Sequence, residues 1–456
     1  MIQSHLSLAA QQMDGVLHGD DASFNGVSTD SRSLAPGQLF FALQGPNFDG
    51  TRFVGEAAEK GAAGAVVDRR CDTELPYIVV SDTRAALGSL AQAWRNSLAT
   101  RVVAVTGSNG KTTLKEMIAA CLAEIGTTLA TRGNLNNDIG LPLMMLELEP
   151  QHSFAVLELG ANHADEIAYL TRLLNPQVAI ISNAGPAHLE GFGSIDGVAR
   201  AKGEILHSGE QLQDAVLNVE DTYFEFWAEL ARPVRVTSFG LGAYADVYAD
   251  GISRTAMGSR FSLHAEGHSV LVELAFAGPH NILNACGAAA VALRLGASLE
   301  QVRAGLEKAR PVAGRLSPLP GLRGCSLFDD SYNANPTSVI AAAQFLASLD
   351  GEAWLVLGDM GELGEETATL HKQVGMAARD AGIDQLLATG EAMQAAVAAF
   401  GDRARWFPDK AALIASLQDT VDSRVNLLIK GSRFMRMERV VDALSSAPRH
   451  ENSGVK

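Results

Sequence analysis

Short, nearly uninterrupted apolar runs recur along the chain, and longer segments with apolar residues at helical spacing separate them. In the middle of the chain, runs at residues 101–105, 154–159, 178–181 and 215–218 predict four strands. Strands that alternate with helical segments are typical of sheets whose faces are covered by helices. We therefore predict a mostly parallel α/β sheet in this region.

The first hundred residues carry a similar pattern at shorter spacing. Runs at residues 38–43, 63–67 and 77–80 predict three strands, and a helical pattern covers residues 83–98. These elements predict a small α/β unit at the start of the chain.

Residues 244–276 differ, because apolar and polar positions alternate there in three stretches. This alternation predicts an antiparallel patch that ends the central unit. Helices are predicted at residues 282–295 and 299–308. The segment at residues 311–314 begins with Pro311 and ends with Gly314, so it predicts a linker.

Beyond this linker, strands and helices alternate again, as in a Rossmann-type sheet. The strands are predicted at residues 326–329, 353–357, 385–388 and 425–429. The predicted fold class is thus α/β with three domains, which cover residues 1–98, 99–312 and 313–456.

A glycine-rich segment directly follows the strand at residues 101–105 and opens a helical pattern. Its residues are Thr106, Gly107, Ser108, Asn109, Gly110, Lys111, Thr112 and Thr113. The N–H groups of such a turn and the positive end of the helix dipole face bound phosphates. Lys111 can reach β- and γ-phosphate oxygens, and the Thr112 hydroxyl can ligate Mg²⁺. The segment therefore predicts a nucleotide-dependent enzyme.

This loop departs from the general phosphate-loop pattern, because Val105 stands where that pattern has its first glycine. The turn is a shorter variant that begins at Gly107. The alternative is a glycine turn that precedes Lys-Thr by chance, and the coincidence of strand, turn and helix signals argues against it.

The charge of the chain narrows the classes of partner. The 456 residues carry a formal net charge of −16, which argues against nonspecific nucleic-acid or anionic-membrane surfaces. No uncharged apolar run reaches the length that spans a membrane. The four cysteines lie far apart without metal-site spacing, so a reducing compartment is favoured. Together these features predict a cytoplasmic protein.

Further polar residues follow other predicted strands, where open α/β sheets bind ligands. Glu158 ends an apolar strand and could ligate Mg²⁺ or simply be a solvated strand end. Residues 131–142 hold three asparagines and two glycines, which suit either ligand contacts or an ordinary turn. His188 could bind a metal or polarise a substrate, although a single histidine is more often structural.

Lys202 lies among small and apolar residues. Burial there would lower the pKa of its amine, and a neutral amine can react with CO₂ to give a metal-binding carbamate. The alternative is a solvated helix lysine, which is the usual environment of this residue type.

Three further candidates follow toward the C-terminus. Asn281 and Asn284 are three residues apart, so one helix face can present both amides, or Asn281 can cap the helix. Arg315 lies at the predicted domain junction and could clamp a phosphate. Asp330 opens a polar segment, Asp-Ser-Tyr-Asn-Ala-Asn-Pro, that follows a strand.

These motifs, in this order, resemble those of the Mur ligases, which are ATP-dependent amide-forming enzymes of peptidoglycan precursor synthesis. The resemblance extends over nearly the whole chain. The segments that carry it are residues 106–113, 134–142, 158–163, 183–193, 201–205, 280–285, 314–316, 330–336, 357–364 and 430–435. The string at residues 330–336 resembles the branch that adds a D-alanyl dipeptide, and the other branches carry different strings there.

The resemblance implies an N-terminal domain for the UDP part of the substrate, a central ATP domain and a Rossmann-like C-terminal domain that helps to bind the amine. The UDP-side residues it implies are Ser31, Arg32, Phe40 and Asp49. The chain departs from its relatives at Thr51, where many have histidine, and at Asp165, where many have glycine.

The activity implied by the resemblance joins D-alanyl-D-alanine to UDP-N-acetylmuramoyl-tripeptide. ATP becomes ADP and phosphate, and the substrate passes through an acyl phosphate. The implied partners are these two substrates, with no nucleic acid, no membrane insertion and a monomeric protein. Alternatives are another Mur-type amino-acid ligase, a folylpolyglutamate synthase, or a nucleotide-binding switch without ligase activity.

The resemblance also implies a role for each candidate. The implied catalytic residues are Lys111, Glu158, His188 and Lys202. Thr112 and Glu158 would hold one Mg²⁺, and His188 with carbamylated Lys202 would hold a second. Asn281 or Asn284 would contact the adenine, Asp330 the ribose and Arg315 the phosphate tail.

Overall fold

The protein is described by a computed structural model that covers residues 1–45, 48–186, 188–207, 209–255 and 257–447. Three sheets of five, nine and six strands succeed one another along this part of the chain, each with helices packed against it. The predicted α/β fold class is confirmed.

The first unit is a small mixed sheet with three helices. Its elements are β1 (Gln3–His5), α1 (Leu6–Gln12), β2 (Val16–His18), β3 (Ser23–Asn25), β4 (Val27–Ser28), β5 (Leu39–Phe41), β6 (Gln44–Gly45), β7 (Phe48–Asp49), α2 (Val54–Glu59), β8 (Gly64–Val67), β9 (Tyr77–Val79) and α3 (Thr83–Asn96). The five-stranded sheet has the order β2-β9-β8-β5-β4, in which only the β2–β9 pair is antiparallel. β1 with β3 and β6 with β7 form two small separate ladders.

The central unit contains the largest sheet. Its elements are β10 (Arg101–Thr106), α4 (Lys111–Ala123), β11 (Thr128–Ala130), α5 (Gly140–Leu146), β12 (Phe154–Glu158), α6 (Glu166–Leu174), β13 (Val178–Ile181), α7 (Leu189–Phe192), α8 (Ile195–Gly203), β14 (Asp214–Asn218), α9 (Phe224–Leu230), β15 (Arg235–Gly240), β16 (Val247–Thr255), β17 (Gly258–Ala265), β18 (His268–Leu274), α10 (Pro279–Arg294) and α11 (Leu299–Lys308). The strand order is β11-β12-β10-β13-β14-β15-β16-β17-β18.

The seven strands from β11 to β16 in this order are parallel, and β16, β17 and β18 are antiparallel. The predicted antiparallel patch is therefore confirmed, and it extends the parallel sheet rather than standing apart from it. β10 shows why the sheet is buried on both faces. Val102 and Ala104 belong to one apolar cluster, while Val103 and Val105 belong to another on the opposite face.

The third unit is a six-stranded sheet of the order β19-β20-β24-β21-β22-β23, in which only the β19–β20 pair is antiparallel. Its elements are β19 (Ser317–Pro320), β20 (Ser326–Asp330), α12 (Pro336–Ala347), β21 (Glu352–Gly358), α13 (Thr367–Ala381), β22 (Gln385–Thr389), α14 (Met393–Phe400), β23 (Ala404–Phe407), α15 (Lys410–Thr420), β24 (Val425–Lys430) and α16 (Glu438–Leu444).

The units pack against one another. α3 of the first unit contacts α5 and α6 of the central one, and their apolar residues share one core cluster. The third unit approaches the central sheet from the side of the phosphate loop, where Ala277 joins its core and Leu189 packs against it. Among the described residues, none of the helices has both the length and the apolar character needed to cross a membrane.

Most predicted strands are confirmed within two residues at each end. The first of the three alternating stretches, predicted to cover residues 244–249, forms a strand only from Val247, and that strand continues to Thr255. Ten strands were not predicted: β1, β2, β3, β4, β6, β7, β11, β15, β19 and β23. All of them except β15 lie at a sheet edge or in a two-stranded ladder, where strands are short, and β19 contains two prolines, which are tolerated only at such edges. The predicted limits of the three domains remain predictions, and residues 448–456 of the third lie outside the described part.

Candidate active site

The phosphate loop joins β10 to α4 and packs against residues at the ends of neighbouring strands. Gly107 and Gly110 have φ values of 144° and 77°, a region that favours glycine. A side chain at Gly107 would also collide with Ser182, and one at Gly110 would lie 3.1 Å from the Asn284 amide. Both glycines are therefore required by backbone conformation and by close approach.

The end of β13 holds the loop in place. The Asn109 amide donates to the Asn183 side chain at 2.9 Å, and the Asn109 carbonyl accepts hydrogen bonds from Asn183 and Ser182 at 3.0 and 2.8 Å. β10 lies between β12 and β13 in the sheet. The chain continues from β10 to β11 on one side and from β13 to β14 on the other. Open α/β sheets bind their ligands at such a point.

Glu158, the last residue of β12, is only 3% exposed, so the alternative of a solvated strand end is wrong. Thr112 donates to one of its carboxylate oxygens at 3.1 Å, and Asn136 donates to the other at 2.9 Å. Asn136 thus uses its side chain on the carboxylate, while Asn137 makes a turn contact by accepting from Gly140 at 2.8 Å. The asparagine-rich segment therefore contains a turn contact and a contact to Glu158, and a role in ligand binding remains a prediction.

Lys111 begins α4, and its amine donates to the Gly107 carbonyl at 2.7 Å. Desolvation lowers the pKa of this amine, and the cationic Arg315 adds to that effect while the Glu158 carboxylate opposes it. A phosphate group would supply the negative charge that this buried cation lacks.

Lys202 lies on α8 and is 2% exposed, so the alternative of a solvated lysine is wrong. Its amine lies 5.3 Å from the centre of the Phe192 ring, and we find no hydrogen-bond acceptor for it within the described part of the chain. Burial, reinforced by the charge of Lys111, lowers the pKa of Lys202 to about 7. A lysine with this pKa is largely neutral at slightly alkaline pH and can act as a nucleophile.

His188 precedes α7 and faces the third unit. Its Nδ1 lies 2.5 Å from a carboxylate oxygen of Glu362, which follows β21. The contact lowers the pKa of the Glu362 carboxyl. His188 therefore lies at the contact between two units rather than inside either core.

Arg315 and Asp330 meet at the junction of the central and third units. Arg315 stacks over the Tyr332 ring at 3.9 Å and donates to the Thr112 hydroxyl at 3.4 Å. Asp330 accepts from the Leu316 amide at 3.1 Å and pairs with Lys430 at 2.7 Å.

Asn281 and Asn284 lie on one face of α10, as predicted. Asn284 donates to the Asn281 side chain at 3.2 Å, and Asn281 donates to the Ala277 carbonyl at 2.7 Å. The cap position of α10 is Gly278, so Asn281 does not cap the helix. Both amides are buried.

One cleft of about 1560 Å³ brings most of the predicted residues together. Across it, Asn335 of the third unit donates to the Asn109 side chain at 2.7 Å. The predicted residues that line it are Ser108, Asn109, Gly110, Lys111, Thr112, Thr113, Glu158, His188, Asn281, Asn284, Arg315 and Asp330. Gly107 and Lys202 are covered by neighbouring residues beside the cleft.

The four predicted UDP-side residues lie in the first unit, away from this lining. Ser31 donates to Glu56 at 3.0 Å, and Arg32 pairs with Asp30 at 2.8 Å on the surface. Phe40 is 2% exposed in the core of the unit, so a ligand could reach only its main chain. The role of these residues remains a prediction.

Asp49 adopts a well-defined local geometry. It accepts from the Thr51 amide at 3.0 Å and pairs with Arg69 at 2.6 Å. The Thr51 hydroxyl, which stands where many relatives have histidine, also donates to Asp49, and with Gln44 it holds the pKa of that carboxyl well below its usual range.

Several lining residues were not predicted as site residues. They include Arg84 from α3, Asn136, Tyr332, Asn335, Glu362, Lys430 and Arg433. Most of these residues follow a strand, as the predicted site residues do, and this position is the sequence signal that could have identified them. Lys430 shows what was missing, because it lies opposite Asp330 only through the pairing of β20 with β24, which are far apart in sequence.

Backbone strain is concentrated at the cleft. Positive φ values at non-glycine residues are uncommon, and five of the lining residues have them, namely Asp165, His188, Leu316, Glu362 and Arg436. Asp165 has a φ of 68°, which explains in physical terms why glycine suits this position in relatives.

Comparison with known proteins assigns the family. Family models described as the Mur ligase family catalytic domain, the Mur ligase middle domain and the Mur ligase glutamate ligase domain match residues 23–95, 105–292 and 314–433. UDP-N-acetylmuramoyl-tripeptide–D-alanyl-D-alanine ligase of Escherichia coli (strain K12) is 44% identical, over 97% of this chain and 99% of its own. The protein of that name from Bacillus subtilis (strain 168) is 34% identical, over 98% of this chain and 100% of its own.

Solved structures agree. A crystal structure of MurF from Acinetobacter baumannii superposes with a TM-score of 0.91 at 38% identity, covering 97% of this chain and 98% of that one. MurF ligase from Thermotoga maritima, solved in complex with ADP, gives a TM-score of 0.84 at 26% identity over 92% and 96%. With relatives this similar over nearly its full length, the chain belongs to the Mur ligase family.

Proposed function

We propose that this protein is an ATP-dependent ligase that joins D-alanyl-D-alanine to UDP-N-acetylmuramoyl-tripeptide. The products are the UDP-muramoyl-pentapeptide, ADP and phosphate, in peptidoglycan precursor synthesis. One observation carries the proposal: the phosphate loop, the Glu158 carboxylate and the polar segment after β20 line one cleft in a chain 44% identical to a ligase of that name.

The triphosphate would lie along the loop at the start of α4. The loop amides and the helix dipole favour its charge, and the Lys111 amine would exchange the Gly107 carbonyl for β- and γ-phosphate oxygens. Arg315 already touches Thr112 and would add a second cation beside the phosphates. Asn281 or Asn284 would contact the adenine, and Asp330 the ribose.

The residues around Glu158 fit a magnesium ion. Thr112 and Glu158 present a hydroxyl and a buried carboxylate at 3.1 Å, and hard oxygen ligands are what Mg²⁺ prefers. No cluster of three or more His, Cys, Asp or Glu occurs in the described ranges, so ATP oxygens and water would complete the set. Bound Mg²⁺ neutralises charge on the phosphates.

A second ion would use His188 and Lys202. The neutral Lys202 amine would attack CO₂, form an N–C bond and release a proton, which replaces the buried neutral amine by a carbamate anion. The absence of a protein acceptor for this amine in the described part of the chain leaves room for that change. His188 would need to leave Glu362 or bind through its other ring nitrogen.

The chemistry is substrate activation followed by amide formation. A carboxylate oxygen of the tripeptide attacks the γ-phosphorus, the bond to the β,γ-bridging oxygen breaks and ADP leaves. The neutral amine nitrogen of D-alanyl-D-alanine then attacks the acyl carbon, and the tetrahedral intermediate loses a proton from nitrogen and releases phosphate to give the amide. The protein supplies positioning and charge neutralisation, with little covalent chemistry of its own.

The three units would share the substrates. We assign the UDP moiety to residues 1–98 with Ser31, Arg32, Phe40 (through its main chain) and Asp49, ATP to residues 99–312, and the amine to residues 313–456. Exposed Arg32 and the Asp49–Arg69 pair offer polar contacts of the kind a nucleotide needs. We further propose a monomer that works in the cytoplasm with its ATP supply.

The decisive experiment measures phosphate release from ATP with UDP-N-acetylmuramoyl-tripeptide, with and without D-alanyl-D-alanine. Full turnover should require both, and Lys111→Ala should nearly abolish it, since lost charge stabilisation costs about 3–4 kcal/mol of barrier for one donor in other enzymes. Turnover with free glutamate and a folate acceptor would instead support a folylpolyglutamate synthase. Hydrolysis independent of any acceptor pair would support a nucleotide-binding switch.

A further inference from the structure

A second cavity lies at the opposite edge of the central sheet from the phosphate loop, where β10, β13 and β14 begin. It measures about 490 Å³, and we call it the Arg95 cavity. Its lining is almost entirely polar, and includes Arg95, Thr100, Arg101, Asn175, Gln177 and Gln211. The mechanism proposed above uses none of these residues.

Arg95, in the last turn of α3, is the unusual member. It is only 3% exposed, and its Nε has no hydrogen-bond partner. Its other nitrogens make two long contacts to neutral oxygens, Nη2 to Gln177 Oε1 at 3.4 Å and Nη1 to the Leu98 carbonyl at 3.5 Å. No carboxylate of the described residues lies within 4 Å of this guanidinium, although a buried cation is costly unless paired.

Gln177, the neutral side chain that contacts Arg95, is already engaged in other hydrogen bonds. Gln177 Oε1 already accepts from the Val102 amide at 2.7 Å, and Gln177 Nε2 donates to Gln211 at 2.6 Å. At the same sheet edge, the buried Asp214 carboxylate is paired with two arginines, Arg235 at 2.5 Å and Arg294 at 3.6 Å. Arg95 differs from these residues because its only hydrogen-bond partners in the described part of the chain are neutral.

We propose that the Arg95 cavity binds a small oxyanion, a phosphate or a carboxylate, whose oxygens accept hydrogen bonds from the Arg95 guanidinium. The exposed Arg101, which stacks on Phe154 at 4.6 Å, adds a second positive charge at the cavity. Glu210 also lines the cavity and is the one acidic side chain among the described residues of its lining. The guanidinium fork matches both oxyanions, and the cavity exceeds the volume of either ion.

Burial of Arg95 in apolar and neutral surroundings also lowers the pKa of its guanidinium. A bound oxyanion would offset the cost of burying the Arg95 cation. The site is separate from the phosphate loop, so its occupancy does not depend on the ligase activity proposed above.

The test is isothermal titration calorimetry of the full chain with inorganic phosphate and, separately, with acetate. Saturating ADP fills the nucleotide site, and KCl keeps the ionic strength constant. We expect a saturable binding event that Arg95→Met weakens at least about tenfold, because a bidentate charge-assisted contact is lost. Arg172→Gln removes an exposed arginine on α6, outside the cavity, and should change nothing. The anion that binds more tightly identifies the ligand class.

Two further variants keep the proposal testable if Arg95→Met does not fold. Arg95→Lys retains the charge without the planar fork and should also weaken binding about tenfold. Arg101→Gln should weaken it about threefold, with a smaller salt dependence, because that charge is exposed and screened. Equal affinity in wild type and in all folded Arg95 variants, or no anion binding that responds to Arg95, would overturn the proposal. The test does not depend on ligation, so the anion-binding result would stand even if the wild-type protein showed no ligase activity.

Discussion

Two lysines of the central unit are almost equally buried, yet their surroundings differ. Lys115 on α4 is 1% exposed, and its amine lies 2.5 Å from Glu116 and 2.6 Å from the Thr131 carbonyl. Lys202 on α8 is 2% exposed, and its amine lies 5.3 Å from the centre of the Phe192 ring. One amine is compensated by charge and hydrogen bonds, and the other is not.

The difference supports a structural role for Lys115 and is consistent with the chemical role proposed for Lys202. A paired lysine fixes its neighbours, and Lys115 here ties α4 to Thr131, whose hydroxyl accepts from the Glu158 amide at 2.9 Å. An unpaired buried lysine loses its proton more easily, as the pKa of about 7 for Lys202 reflects. Burial alone therefore does not identify a reactive lysine, whereas burial without a partner does.

The largest expected effect is that of Lys202→Ala on ligation. We expect kcat to fall about 10³-fold, because loss of one preorganised electrostatic group costs about 10²–10³ in other enzymes and the proposed metal-binding carbamate is removed as well. Steady-state phosphate release with both substrates measures it. Short-chain carboxylic acids should restore part of the rate by replacing the carbamate.

The matched control for this variant is Lys115→Ala, which removes an equally buried lysine outside the cleft lining. Carboxylic acids should not rescue it. Wild-type activity in Lys202→Ala, or equal rescue of both variants, would remove the carbamate from the mechanism.

The second effect concerns stability. Lys115→Met keeps the methylene chain and removes the amine, so the Thr131 carbonyl loses its donor. We expect the free energy of unfolding to fall by about 2–3 kcal/mol, the cost of a buried unsatisfied group together with a broken ion pair. A urea titration followed by circular dichroism measures the change, and Lys202→Met provides the comparison. Lys202→Met should be neutral or stabilising, because it removes an uncompensated buried amine.

The third effect is the dependence of stability on pH. The folded pKa of Lys202 is about 7, below the roughly 10.4 of an unfolded lysine. Between these values the unfolded chain binds more protons, so this residue makes the free energy of unfolding rise with pH. The desolvation cost is fully present below pH 7 and is relieved as pH approaches 10.

From pH 7 to pH 9 this contribution amounts to about 2 kcal/mol. Urea midpoints in CO₂-free buffer, for wild type and for Lys202→Met, isolate it as a difference in slope. Parallel pH profiles for the two proteins would show that the Lys202 amine keeps an ordinary pKa.

The sequence could predict the loop and the polar residues at strand ends, because these signals are local. Lys111 and Thr112 follow directly from a strand, a glycine turn and a helix start. The fold class and nearly all buried strands could be predicted for the same reason. The edge strand β19, with its two prolines, could not, since an edge position is a property of the assembled sheet.

Contacts between distant segments were beyond local reasoning. The Asp330–Lys430 pair depends on β24 inserting between β20 and β21, and the His188–Glu362 contact depends on how two units meet. The two lysines illustrate the same limit. The sequence left Lys202 open between burial and a solvated helix position and gave no prediction for Lys115. Only the structure shows that both are buried and that partners compensate Lys115.

The smallest expected effect is that of Glu116→Gln, which tests how much of the Lys115 compensation comes from charge. The Glu116 side chain is 38% exposed, so water screens its attraction for the buried amine. The Thr131 carbonyl remains in place at 2.6 Å, and a glutamine amide oxygen can still accept from the amine. We expect a loss below about 1 kcal/mol in the urea titration, with less difference at high salt. A loss as large as that of Lys115→Met would mean that the carboxylate, and not the carbonyl, provides most of the stabilisation of this buried amine.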